Sequence, residues 1–260
     1  MVNILTLCFA FGEELPRQAL ETISAARLVA GQMPDGRVQT LLIGPEADRY
    51  TNGLIHHGID ELFVVANNHY RPQETAPILK VIENFVRERP SDIILLPHDN
   101  LGSEIGARLA YRLKASISSD CTGFKVENGI LDWQKPVYGG KALAYMASGD
   151  GLHVATIRPR AFELLSPDER CQSKVVRIEV EADVLSPVVL VETIQEEVEG
   201  ISLDQAQIIV SGGRGMGSAE GFVVLEELAE VLGAAVGGSR PAADLGWIPH
   251  SRLLGQTGKI

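Results

Sequence analysis

The sequence predicts an α/β protein: an N-terminal parallel-sheet domain with a β-rich end, followed by the start of a second, doubly wound α/β unit. Three observations lead there. In the first hundred residues, short apolar runs without polar alternation recur between segments of helical period, the pattern of strands buried on both faces and joined by crossover helices. From about residue 117 the helical period gives way to short β-type runs with turn signals at Asn128-Gly129 and Gly149-Asp150-Gly151. Near residue 206, after an acidic stretch, a strand runs through a glycine-rich turn into an apolar helix.

Taken in order, NILTLCFA reads as a buried strand, and LPRQALETISAARLVA places Leu15, Ala19, Ile23, Ala26 and Ala30 on one helical face. VQTLLIG is a second strand, followed by a helix through Tyr50 to His57. ELFVVAN is a third strand, and TAPILKVIENFVRERP a helix stopped by Pro90. DIILLPHD and LGSEIGARLAYRLKA complete a fourth strand–helix pair. Beyond the β-rich stretch, KVVRIEV alternates Val176, Ile178 and Val180 against Val175, Arg177 and Glu179, so one face is wet, and PVVLVETI closes this part. The domains expected are therefore 1–194, a linker at 195–205 (QEEVEGISLDQ), and an incomplete unit at 206–260. In that last unit AQIIVS is a strand, Ser218 a helix N-cap with Glu220 in the first turn, and AAVGGSR a second strand.

Composition narrows the function. The chain is 45% hydrophobic and 22% charged, with a net charge of −11, which argues against nucleic acid and anionic membrane surfaces and suits basic protein partners. No apolar run reaches the roughly 18 residues of a membrane span. The N-terminus lacks the basic region of a signal or transit peptide, so a soluble, cytoplasmic protein is expected. The 3 cysteines, Cys8, Cys121 and Cys171, are far apart, with no C-x-x-C, and suggest neither a disulfide framework nor a metal site.

The turn VSGGRGMGSAE, residues 210–220, is the strongest chemical feature. A glycine turn between a strand and a helix N-terminus is a general anion cradle, because unpaired N–H groups and the helix dipole point at whatever sits there. No Lys-Ser/Thr follows, so it is not a Walker A loop. Gly213-x-Gly215 fits the start of the dinucleotide fingerprint, but Ser218 occupies the third glycine position. On spacing alone, a tight structural turn competes with a dinucleotide site.

VSGGRG, GGSRPAADLGWIP and GQTGKI occur in that order, and KPVYGGKAL and TIRPRAFE precede them. Together they resemble the electron-transfer flavoprotein α subunit over essentially the whole chain. The resemblance implies that 206–260 begins a Rossmann-like FAD-binding domain. It carries the family's FAD contacts onto Arg214 in the glycine turn, Ser239 and Arg240, and the loop Leu254, Gly255, Gln256 and Thr257, with the threonine hydroxyl near flavin N5. Residue types suit this: a fixed guanidinium stabilises negative charge gathering around flavin N1 and O2, and a hydroxyl can follow the protonation of N5. The family's later G-x-S-G-A-x-Q-H and Asn-Lys-Asp segments are missing from these 260 residues. A fragment of a longer protein is therefore expected, and FAD retention by this chain alone is an open question.

The resemblance further implies an electron carrier, with no catalytic residue of its own unless the complex bifurcates. Its partner is a β subunit carrying AMP or a second FAD. Electrons arrive from flavin dehydrogenases such as the acyl-CoA dehydrogenases of fatty acid β-oxidation and leave to a quinone-linked oxidoreductase, with residues 1–194 acting as the docking scaffold. Two other readings compete. An adenine-nucleotide-binding module would need a phosphate loop in the first half, but FAFGEELPR has a single glycine. A cofactor-free, truncated interaction protein fits the missing segments. Of the other polar residues, His98-Asp99 at a strand end reads as a polar loop, His56-His57 near a helix end as capping or exposed residues without the partners a metal site needs, and His69, His153 and His250 as structural histidines. Trp247 could shield the flavin or pack its loop. Lys141, Arg158 and Arg160 form a basic group, either paired internally or facing a partner.

Overall fold

The first strand, β1 (Val2–Phe9), has six consecutive buried residues from Ile4 to Phe9, because it lies at the centre of a sheet covered on both faces. The computed structural model describes the chain apart from residues 13, 148, 150, 181–185, 193–200, 204–205 and 256–260. It forms two compact units, Met1–Val191 and Glu192–Ile260. The acidic stretch read as a linker falls largely outside the described residues.

In the first unit β1 leads through α1 (Arg17–Ala30) to β2 (Gly36–Gly44), α2 (Ala47–Leu54), β3 (Glu61–Ala66), α3 (Thr75–Glu88), β4 (Ile93–Pro97) and α4 (Asn100–Leu113). Each expected strand and helix is present. The predicted α1 face is buried at Ala19, Ile23, Ala26 and Ala30, while α2 ends at Leu54, three residues short of the expected His57. Helix α3 stops at Glu88, before Pro90, which has no N–H to continue it. Helix α4 is capped by Asp99, whose carboxylate accepts from the Gly102 N–H at 2.7 Å. A Cβ at Gly102 would collide with the Pro97 carbonyl oxygen, so glycine lets the helix start directly against the strand end.

The chain continues through β5 (Ser116–Cys121), β6 (Gly123–Glu127), β7 (Ile130–Val137), β8 (Ala142–Ala147), β9 (His153–Ile157) and β10 (Lys174–Arg177). Here the β-rich end divides in a way the sequence pattern does not announce. Strands β5, β9 and β10 return to the main sheet, whose seven strands run in the order β10-β3-β2-β1-β4-β9-β5 with every pairing parallel. Among the described residues, β6, β7 and β8 form a separate antiparallel sheet. Asn128 and Gly129, at φ 52° and 79°, make the two-residue turn between β6 and β7.

Helices α3 and α4 pack on one face of the main sheet through Ile78, Ile82, Phe85, Ile105 and Leu109. Helices α1 and α2 cover the other, with Ile23, Ala26, Val29 and Leu54. Trp133 of β7, fully buried, joins the α1 side beside Leu131 and Cys121. The alternation of KVVRIEV is realised: Val176, Ile178 and Val180 pack against the α3–α4 core.

The second unit contains β11 (Ile209–Gly212), α5 (Val223–Leu232), β12 (Ala235–Gly238) and the short α6 (Arg240–Asp244). β11 and β12 pair in parallel, as in the start of a doubly wound sheet. Its interior is small: Phe222 packs with Ala242, Ala243, Ile248 and Leu253, and Leu203 with Ala206 and Ala235.

Candidate functional site

The register of the second unit decides which residues meet. Gly212 ends β11 opposite Gly238 at the end of β12, and the Ser239 N–H donates to the Gly212 carbonyl at 3.0 Å. On the other side of β12, Leu253 bridges Gly238 in parallel, and the Leu254 N–H donates to the Gly238 carbonyl at 2.8 Å. Three passes of chain therefore leave one carboxyl edge side by side, as Gly213-Arg214, Ser239-Arg240 and Leu254-Gly255. The carboxyl edge is where open α/β sheets bind ligands.

The glycine turn is shaped locally. Arg214–Met216 is a single 3₁₀ turn, closed by Met216 N–H to the Gly213 carbonyl at 3.0 Å and Gly217 N–H to the Arg214 carbonyl at 3.2 Å. Gly217 lies at φ 82°, a left-handed conformation that glycine adopts without strain. The chain then folds back so closely that a Cβ at Gly221 would collide with the Met216 carbonyl oxygen. That approach delays the helix. Ser218 is not its N-cap; a 3₁₀ turn at Glu220–Phe222 precedes α5, which begins at Val223. Ser218 instead hydrogen-bonds the Glu220 side chain and holds that carboxyl below its usual range.

Arg214 and Arg240 are both exposed. Arg240 lies 3.7 Å from Asp244, with both side chains more than half exposed, a surface pair that holds it weakly. A Cβ at Gly213 would lie 3.2 Å from Ser239 Oγ, whereas at Gly215 it would meet no heavy atom within 4 Å. Packing within the unit therefore does not require glycine at 215, and the missing side chain leaves room for a group approaching the turn. Two guanidiniums, a hydroxyl and bare glycine backbone form a donor set that fits a cofactor bearing phosphates and a reducible ring. Leu254 follows a different course. Its side chain packs with Leu203, Ala206 and Ala235, and a Cβ at Gly237 would lie 2.6 Å from its Cδ1. Gly255 is exposed at φ 112°; Gln256 and Thr257 lie outside the described residues. Trp247 is half-buried and packs against the small core.

The first unit has its own polar cluster at the carboxyl edge of β4, β9 and β5. His98 Nδ1 lies 2.8 Å from Thr156 Oγ1 and 3.1 Å from Ser103 Oγ. Arg158 grips Asp120 in two bonds, Nε to Oδ1 at 2.7 Å and Nη2 to Oδ2 at 2.6 Å, and those bonds hold the Asp120 carboxyl below the usual range. Burial pushes Asp99 up. This is the internal pairing expected for Arg158. Arg160 donates its backbone N–H to Glu21 at 2.8 Å, and Lys141 is exposed.

Sequence reasoning missed Glu21 and Asp120. The only signal for Glu21 was a carboxylate on the apolar face of α1, four residues after Arg17, with which it pairs at 2.8 Å. Among the described residues no group of three or more His, Cys, Asp or Glu side chains is placed to hold a metal ion. No helix among them is long and apolar enough to cross a membrane.

Comparison with known proteins agrees with this division. Residues 10–183 match the electron transfer flavoprotein domain, and residues 202–260 match the electron transfer flavoprotein FAD-binding domain. Over 247 residues the chain is 34% identical to the electron transfer flavoprotein subunit alpha of Bacillus subtilis (strain 168), covering 95% of this chain and 75% of that protein. It is 36% identical to Protein FixB of Clostridium saccharobutylicum, covering 95% and 74%. With the electron transfer flavoprotein subunit alpha of Megasphaera elsdenii the identity is 33%, covering 99% and 78%. The chain thus spans about three quarters of the length of each of these relatives. It belongs to the electron transfer flavoprotein alpha-subunit family, a family of electron carriers.

Proposed function

We propose that this chain is the FAD-containing α subunit of a heterodimeric electron transfer flavoprotein. The observation that carries the reading is the shared carboxyl edge on which Arg214, Ser239 and Arg240 meet, since it gathers residues 25 positions apart in sequence around a glycine turn. Arg214, Ser239, Arg240, Gly255, Gln256 and Thr257 contact the cofactor, and Leu254, whose side chain packs inward, does so through its backbone alone. When bound, FAD supplies the reversible uptake and release of electrons, and the chain supplies position and charge. The glycine turn admits the pyrophosphate to backbone N–H groups, and the Arg214 and Arg240 guanidiniums stabilise the added negative charge.

Residues 1–194 serve as the scaffold for the β subunit, which carries AMP or a second FAD; 195–205 link them to the cofactor unit at 206–260. Electrons arrive from flavin dehydrogenases, of which acyl-CoA dehydrogenases of β-oxidation are the expected class, and leave to a quinone-linked oxidoreductase. The complex works in the cytoplasm.

The test is a visible absorption spectrum of the protein purified with its β subunit and excess FAD, then desalted. Flavin bands that persist, and that are lost in Arg240→Ala, support the reading. A colourless complex overturns FAD binding and favours a cofactor-free interaction protein.

A further inference from the structure

Arg240 and Asp244 stand at the two ends of α6, four residues apart and both exposed. The inner side of this short helix is fixed. Ala242 and Ala243 are buried, and their N–H groups both donate to the Ser239 carbonyl, at 2.9 and 3.2 Å. The backbone that carries the pair is therefore held at the carboxyl edge, while the two charged side chains are free to move. Arg240 Nε lies 3.7 Å from Asp244 Oδ2, with 66% and 54% of the side chains exposed.

Such a pair does little for the helix. An arginine at the amino end and an aspartate at the carboxyl end oppose the helix dipole, and the favourable i,i+4 order places the acid first. Elsewhere the chain builds pairs of this spacing that close. Glu83–Arg87 and Glu104–Arg108 have the acid first and meet at 2.9 Å. Arg17 meets the buried Glu21 at 2.8 Å. Arg240–Asp244 has the unfavourable order, the longest distance of these and wide access to water, so it adds little to stability.

Its place gives it another use. Ser239 and Arg240 leave β12 at the carboxyl edge shared with Gly213 and Arg214, the edge assigned above to the cofactor. A ring that takes up electrons there gains negative charge and attracts the Arg240 guanidinium. Asp244 attracts the same guanidinium back along α6, and its own charge opposes the added electron.

We infer that Asp244 is a positioning residue that competes with the reduced flavin for Arg240, and so holds the reduction potential below the value the two arginines would set alone. With the cofactor oxidised, Arg240 rests on Asp244; with the cofactor reduced, the pair parts. A loose, wet pair suits this exchange, because parting a buried one is strongly unfavourable. The inference rests on the FAD reading above and adds a residue that acts through Arg240 and not by contact.

The test is a redox titration, followed in the visible spectrum, of the protein purified with its β subunit and FAD. Asp244→Asn keeps the shape of the side chain and removes its charge. It is expected to favour the reduced form about threefold, a rise of about 28 mV in the first-electron midpoint potential. The rise is expected to shrink at about 1 M salt, which screens exposed charges. Asp244→Glu is expected to stay near wild type. Glu230→Gln, which removes the same charge in the last turn of α5, is expected to leave the potential unchanged. A potential that is unchanged or lower in Asp244→Asn overturns the inference and leaves FAD binding standing; a lower one would mean that Asp244 holds Arg240 toward the flavin. An equal rise from Glu230→Gln overturns it as well, as an effect of net charge alone. A wild-type complex that retains no flavin overturns both readings.

Discussion

In Met1–Val191, the apolar residues of α3 at 78, 79 and 82 are fully buried against a sheet of seven strands. In Glu192–Ile260, the same β-α-β order places α5 against two strands, and Val224 and Val231 remain 64% and 84% exposed. Burial of apolar area is the main stabilising term in folding, so the two units hold their elements with unequal strength. The first is built on extensive cores on both faces of its sheet. The second positions an arginine-lined edge on a small core of Phe222, Ala242, Ala243, Ile248 and Leu253.

The largest expected effect lies in the deep core. Leu95→Ala, at a side chain with no exposure, is expected to cost about 2–5 kcal/mol in urea unfolding. Val231→Ala on α5 is expected to change stability by less than about 0.5 kcal/mol. Equal costs would break the contrast. Next comes cofactor linkage. FAD at a hundredfold excess over its Kd is expected to add about 2.7 kcal/mol, read as slower proteolysis within 206–255 and no change within 1–191. Uniform protection of both regions would show that the cofactor's effect is not confined to the smaller unit.

Smaller is the loss of the α4 cap: Asp99→Ala is expected to cost about 1 kcal/mol, measured by thermal unfolding, with Asp99→Asn close to wild type. The finest test is a pH slope. His153 is buried, with Ser116 Oγ at 2.7 Å from Nδ1 and Ser118 Oγ at 3.0 Å from Nε2, and burial lowers its pKa. The unfolded chain then binds more protons, so stability declines as pH falls below about 6.5, the unfolded value, and levels off below the lowered folded value. His153→Gln should flatten the urea midpoint over that range; an unchanged slope would assign the pH dependence to other groups.

Much was legible in the sequence. The alternation of buried strands and amphipathic helices from β1 to α4, the Asn128-Gly129 turn and the face of KVVRIEV are local patterns, and local sterics and periodicity decide them. The glycine turn and its arginine were visible for the same reason, since left-handed Gly217 and the close approach at Gly221 are conditions on neighbouring residues. The Ser218 cap was misread because the fold-back onto Met216 competes with helix initiation, and cap propensity does not register that contest.

What only tertiary structure decided is adjacency. An apolar run states that a strand is buried but not which strand it lies beside, so β5, β9 and β10 read as part of a β-rich end and were found in the parallel sheet. The same limit hid the Asp120–Arg158 grip, which joins residues 38 apart, and the hold of Glu21 on the Arg160 backbone 139 positions away. It also left open how Arg214 and Arg240 come to one edge. Sequence by itself determined the elements, their faces and the types of residue available for binding. Strand pairing determined which of those residues meet, because backbone hydrogen bonds are made across the sheet and their register depends on which edges the rest of the chain leaves open.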